Sequence, residues 1–169
     1  MIDVIQADIT SLDVDAIVNA ANESLAPGGG VCGAIHRVAG PELARACARI
    51  GRCPTGDARL TPGFGLRARF VIHAVGPVWR DGAQGEPRLL AAAYDAVFRV
   101  ARAEPGIRSL ALPAISTGIY GFPRDQAAAM AVQAIRGHES DFDRVVCCLF
   151  DPETMALYQR EVEVSGDRS

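Results

Sequence analysis

Asn19-Ala20-Ala21-Asn22-Glu23-Ser24-Leu25-Ala26-Pro27-Gly28-Gly29-Gly30-Val31-Cys32-Gly33-Ala34-Ile35-His36 is the stretch on which the fold turns. The apolar run Asp15-Ala16-Ile17-Val18 before it reads as a strand and delivers two carboxamides, Asn19 and Asn22, to the sheet edge. Three consecutive glycines follow, and helical spacing then runs through residues 31–38. A strand that passes through a glycine turn into a helix is half of a βαβ unit, the building block of a parallel sheet. It is also a place to hold an anion. Glycine lets a ligand approach the main chain, and the first turn of the helix aims unpaired N–H groups and a positive dipole end at phosphate.

The same rhythm recurs further on. Residues 107–113 form an aliphatic strand, 114–123 a small-residue loop with the hydroxyls of Ser116 and Thr117, and 125–137 an alanine-rich helix. This second turn makes a second anion-binding geometry, and open α/β sheets hold ligands at such carboxyl ends. Elsewhere, residues 2–6 alternate as a short strand and Asp8 opens a turn. Gly40-Pro41 ends one helix and starts the next, whose face of Leu43, Ala46, Cys47 and Ile50 buries Cys47. Residues 57–61 and 69–75 read as strands around the turn Pro62-Gly63-Phe64-Gly65, with His73 expected in the core. Residues 86–103 form a helix. Residues 143–150 are the last strand, with Cys147 and Cys148 as packing, and Asp151 caps a terminal helix opened by Pro152. The chain is therefore α/β, expected as one domain over 1–164 with a frayed tail at 165–169.

Composition narrows the function classes. An apolar fraction of 49% with only 6% aromatic, in 169 residues, suits an aliphatic α/β interior and argues against disorder. A formal charge of −3 gives no reason for non-specific binding to nucleic acid or to an anionic membrane. The N-terminus lacks a basic segment followed by an apolar one, and no apolar run spans a bilayer, so the expected location is the cytoplasm, without a membrane partner. The five cysteines, Cys32, Cys47, Cys53, Cys147 and Cys148, contain no C-x-x-C pair, which indicates neither a disulfide framework nor a zinc site. Cys32 and His36 have the spacing of two ligands on one helical face, but no further Cys or His is near in sequence; neither a metal nor a cofactor is expected. The sequence assigns no oligomeric state.

The string Asn-Ala-Ala-Asn-x-x-Leu-x-x-Gly-Gly-Gly-Val-x-Gly-Ala-Ile-His resembles the macro domain family of ADP-ribose-binding modules, and its MacroD-type hydrolase branch in particular. The resemblance extends through residues 55–79 and the loop Ser116-Thr117-Gly118-Ile119-Tyr120-Gly121. It implies a three-layer α/β/α fold around a mixed, largely parallel sheet, with ADP-ribose and ADP-ribosylated macromolecules as partners. It also implies a site. The Asp8 carboxylate accepts from the adenine amino group, the Ile9 N–H serves the ring, and Phe150 stacks on it beside Asp151. The diphosphate is wrapped by the loop of Ser116, Thr117, Gly118 and Ile119, and the glycine turn with Gly29, Gly30 and Val31, the other phosphate-cradling loop, surrounds the distal ribose and puts its anomeric carbon beside Cys32 and His36. Tyr120 packs near the distal ribose, which Asn19 and Asn22 approach with their amides. By their residue types alone, Asp8 reads equally as a turn or cap residue and Phe150 as core.

The implied reaction removes ester-linked ADP-ribose from acidic side chains, O-acetyl-ADP-ribose or nucleic acid by water attack at the anomeric carbon of the distal ribose. Asn22 holds the ribose hydroxyls, and His36 stands one turn beyond Cys32 as a proton-handling or supporting partner. One position departs from the pattern: the branch usually carries an Asp, implicated in orienting water, where this chain has Cys32. A thiol is a poor hydrogen-bond acceptor. Two expectations therefore stand, a hydrolase in which the substrate's phosphate helps position the water, or a reader that binds ADP-ribose without turnover.

Overall fold

In a computed structural model that describes residues 2–166, the apolar segments pair into one six-stranded sheet. The strands are β1 (Ile2–Gln6), β2 (Ala16–Ala20), β3 (Ala58–Pro62), β4 (Phe70–Ala74), β5 (Ser109–Leu112) and β6 (Arg144–Leu149). Their order is β1-β6-β5-β2-β4-β3, with every pair parallel except β3 with β4. The helices are α1 (Gly30–Ala39), α2 (Pro41–Ile50), α3 (Glu86–Ala103), α4 (Arg124–His138) and α5 (Pro152–Gly166). The expected three-layer architecture is thus the one observed. Helix α5 takes in Ser165 and Gly166, the first two residues of the expected tail, and residues 167–169 lie outside the described residues.

Strand alternation builds the two cores. Val145, Cys147 and Leu149 of β6 join the cluster made with α3, α4 and α5, whereas Val146 and Cys148 join the one made with α1 and α2. The same division separates Ala16 and Val18 from Ile17 in β2, and Ile72 and Ala74 from Val71 in β4. Extending the period by one step puts Asn19 and His73, register partners in β2 and β4, on the α1 side. The sequence hands that face two polar groups just where the strands end.

Carboxylates pin the loops at both ends of the sheet. Asp15 Oδ2 accepts from the backbone N–H groups of Arg108 (2.8 Å) and Ser109 (2.9 Å), which fixes the start of β5 against β2. Glu86, at the first turn of α3, is buried and accepts backbone N–H bonds from Arg80, Asp81 and Gly82 through Oε2 and from Gln84 through Oε1. Burial works against its charge, but these donors prevail and hold the carboxyl at about 2. A folded value below the usual 4.5 means that the contribution of Glu86 to stability is full above pH 4.5 and is lost as pH falls toward about 2. Glu86→Gln is therefore expected to lower the melting temperature at neutral pH and to flatten the acid limb in that window. Parallel melting-temperature curves for wild type and variant across pH 2 to 7 would contradict this.

Candidate active site

The carboxyl ends of the parallel strands open into a cleft with two lobes that share Gly30 and Val31 at the start of α1. The smaller lobe, about 320 Å³, is lined by Ala20, Ala21 and Asn22 after β2, by residues 28–32, by Gly76 after β4, and by 114–116 and 118–120 after β5. The larger, about 690 Å³, is lined by Asp8, Ile9, Ala34, Arg37, Cys148 and Phe150 among others. No side chain caps α1, so its leading N–H groups face the shared wall.

Many of the residues singled out in the sequence meet here, though not all as expected. Gly29, Gly30, Val31, Cys32, Ser116, Gly118, Ile119 and Tyr120 line the smaller lobe. Asp8, Ile9 and Phe150 line the larger, and Phe150, 84% exposed, is no core residue. Asp8 combines both of its readings. Its Oδ1 caps the short 3-10 turn Ile9–Ser11 through Thr10 N (3.0 Å) and Thr10 Oγ1 (2.7 Å), while the residue itself lines the lobe. Asn22 lines the cleft with its amide turned into its own loop. Its Oδ1 accepts from Ser24 Oγ (2.7 Å) and Ala26 N (3.1 Å), and its Nδ2 donates to Ala26 O (3.0 Å), leaving one N–H to offer.

Four of the expected residues stand off the walls of the two lobes. Asn19, His36, Thr117 and Asp151 line neither lobe. Asp151 is spent as the cap of α5, accepting from Thr154 N (2.8 Å) and Thr154 Oγ1 (3.0 Å). Thr117 is half-buried, a step off the lining. Asn19 is 1% exposed and points under the cleft, where Nδ2 donates both to Cys32 Sγ (3.7 Å) and to His73 Nδ1 (3.1 Å). With Nδ1 accepting, His73 carries its proton on Nε2, 2.9 Å from Thr61 Oγ1. Burial first, and then repulsion from a charged His36, pulls His73 down to about 4, so it is neutral at ordinary pH. His36 is itself buried with neither ring nitrogen partnered, and burial lowers its pKa.

Several residues escaped the sequence reading. Gly76 forms the wall behind Ile115 and Ser116, and its only signal was a Gly-Pro following a buried strand. The sequence did single out Ser116, but not its left-handed φ of 69° or its buried Oγ, which has no partner among the described residues. Tyr94, fully buried in α3, accepts the Ile115 N–H (3.2 Å) and lies 3.4 Å from the hydroxyl of Tyr158 in α5, tying the loop's entry to the opposite layer. The loop's far end is held by Trp79 N donating to Tyr120 O (2.7 Å). Arg37 lines the larger lobe. Cys148, expected as packing, does the same, with its S–H donated to Ala7 O (3.2 Å). No group of three or more His, Cys, Asp or Glu side chains among the described residues is arranged to hold a metal, and no helix among them is long and apolar enough to cross a membrane.

Fold and cleft together define an α/β domain whose cleft opens at the carboxyl edge of a parallel sheet, beside a helix N-terminus, where open α/β sheets hold ligands. Residues 18–131 match the family model for the Macro domain, and the chain belongs to that family, as its sequence motifs implied. It is 53% identical over 155 residues to Macro domain-containing protein RSc0334 of Ralstonia nicotianae, which covers 92% of this chain and 90% of that one. It is 50% identical over 177 residues to a protein of Escherichia fergusonii named O-acetyl-ADP-ribose deacetylase, covering 98% of this chain and 97% of the relative. Among solved structures it superposes on the Oceanobacillus iheyensis macrodomain with ADP at a TM-score of 0.92 and 38% identity, covering 98% of this chain and 92% of that one. That macrodomain has also been solved with an Asn, a Gly seven positions on and an Asp three beyond replaced; Asn22, Gly29 and Cys32 have the same spacing here.

Proposed function

We propose that this chain is a MacroD-type hydrolase that binds ADP-ribose and releases it from ester linkages on acidic side chains, O-acetyl-ADP-ribose or nucleic acid. The observation that carries the reading is the two-lobed cleft folded around the uncapped first turn of α1. A diphosphate across Gly30 and Val31 puts adenine between Asp8, Ile9 and Phe150, and the distal ribose in the smaller lobe against Asn22, Cys32 and Tyr120. The relatives named O-acetyl-ADP-ribose deacetylase support the same chemistry.

Hydrolysis at the anomeric carbon passes through an oxocarbenium-like state, which the site serves mainly by fixing the sugar and the water. With ADP-ribose esterified to an acidic side chain, the water oxygen bonds to the anomeric carbon, the carboxylate departs with the electrons of the broken C–O bond, and the water's proton passes to the nearby substrate phosphate. Cys32 Sγ, met by an Asn19 N–H and 3.9 Å from Ala26 O, shapes this floor without taking the proton. His36, buried on α1 with its pKa lowered by that burial, transfers no proton in this scheme.

The test is ADP-ribose release from a glutamate-ADP-ribosylated protein. Wild type and Cys32→Ala are expected to turn over at comparable rates, and Asn22→Ala to lose roughly 100-fold as its loop and the ribose lose their anchor. One observation favours the second reading, a reader without turnover: Cys32 stands where the spacing calls for an Asp. Tight calorimetric binding with no product from the wild type would establish it.

A further inference from the structure

Gly30, Val31, Ala34 and Arg37 fall at helical spacing on the face of α1 that floors the larger lobe. Small side chains clear the floor, and Arg37 stands at its far end, roughly 10 Å along the axis from Gly30. The side chain folds back toward the cleft, with Nη1 3.7 Å from where a Cβ on Gly33 would lie; a bare glycine leaves it that room. Arg37 is exposed, and no hydrogen bond or ion pair among the described residues engages it. Among the described residues it is the only basic one lining either lobe. The only carboxylate among the described residues that line them, Asp8, commits Oδ1 to Thr10 and makes no ion pair with it. The lobe thus holds, besides the Asp8 carboxylate, one unpaired, planar, five-donor cation.

We propose that Arg37 forms a subsite for a phosphate ester on the adenosine ribose, so that the cleft takes ADP-ribose bearing a 2′-phosphate in preference to ADP-ribose itself. The proposal rests on the ADP-ribose reading above. With adenine against Phe150 and the diphosphate on Gly30 and Val31, the adenosine ribose lies between them, over Ala34 and toward Arg37. A ribose hydroxyl has no need of a cation, whereas a phosphate monoester near −2 presents three acceptor oxygens that match the guanidinium fork. The diphosphate is a poorer candidate for this charge, because the Ser116 to Tyr120 loop that wraps it lines the smaller lobe, which Arg37 does not.

Titration calorimetry with ADP-ribose and with ADP-ribose 2′-phosphate, on wild type, Arg37→Gln and Arg37→Lys, tests this. Wild type is expected to bind the phosphorylated ligand about tenfold more tightly, in line with one charge-assisted pair. Arg37→Gln should bring the ratio of the two affinities to one or below, Arg37→Lys should keep part of it, and added salt should shrink it. Equal affinities in the wild type, or a preference that survives Arg37→Gln, overturn the subsite while leaving ADP-ribose binding in place. Failure of the wild type to bind either ligand overturns the ADP-ribose reading, and the subsite with it.

Discussion

Gly76→Ala is expected to weaken ADP-ribose binding roughly 30-fold, the equivalent of about 2 kcal/mol of overpacking at a wall that cannot move. The added methyl would overlap Ser116 Oγ and come within 2.6 Å of Ile115 Cγ2. The backbone that carries both residues is held from several sides. The Ile115 N–H is held by Tyr94, the Ser116 carbonyl accepts from Phe122 N (2.9 Å), and Tyr120 is held by Trp79. Ser116 already occupies a left-handed conformation, and a loop that swings to relieve the clash enters the smaller lobe, where the proposed reading puts the distal ribose. Calorimetry and a thermal melt should be read together, since a fold-wide loss would lower both. The discriminating variant is Gly76→Ala with Ser116→Gly, which removes the obstructing hydroxyl and the strained φ at once. It should recover part of the binding, the non-additivity expected of residues in contact. Affinity for ADP-ribose within threefold of wild type in the single variant would show that the wall does yield.

That wall illustrates which features the sequence could carry. Period-two strands, glycine turns and Pro-led helices are local signals, and β1 to β6 and α1 to α5 follow them to within a residue or two. The glycine stretch and the Ser116 loop were legible for the same reason: each is a strand end followed by a helix. Gly76 and Tyr94 were not, because their roles lie in what crosses from another layer. Nothing around Tyr94 in the chain reveals that its hydroxyl meets Ile115 N, twenty-one residues on. Asn19 fails in the opposite sense. Its neighbours in sequence place it at the sheet edge, but alternation turns it under the cleft, and only the register of β2 with β4 shows that its partner is His73. Asp151 and Phe150 differ by one position and by everything else, one spent on a helix cap and the other left bare at the cleft.

The Asn19 placement also explains what Cys32 can become. Cys32→Asp is expected to raise ADP-ribose release roughly 100-fold, the usual return from a well-placed general base or water-orienting group. The first turn of α1 is a favourable place for a carboxylate. Asn19 Nδ2 already reaches Sγ at 3.7 Å, and a carboxylate oxygen would take that N–H as a stronger, charge-assisted bond. The other oxygen would then face the smaller lobe, where the attacking water belongs, rather than Ala26 O. This arrangement depends on neutral His73, which accepts from the same amide. As His73 protonates below about 4, Nδ1 can no longer accept, and Asn19 must turn its oxygen toward the ring and withdraw the N–H from position 32. Cys32→Asn supplies the control, with the same shape and no charge, and should gain little. If Asp and Asn variants both release ADP-ribose at the wild-type rate while binding it normally, water activation does not run through position 32, and the substrate's own phosphate is sufficient. A gain confined to Asp would mean that the thiol left in place the amide support a carboxylate needs, and removed only the acceptor.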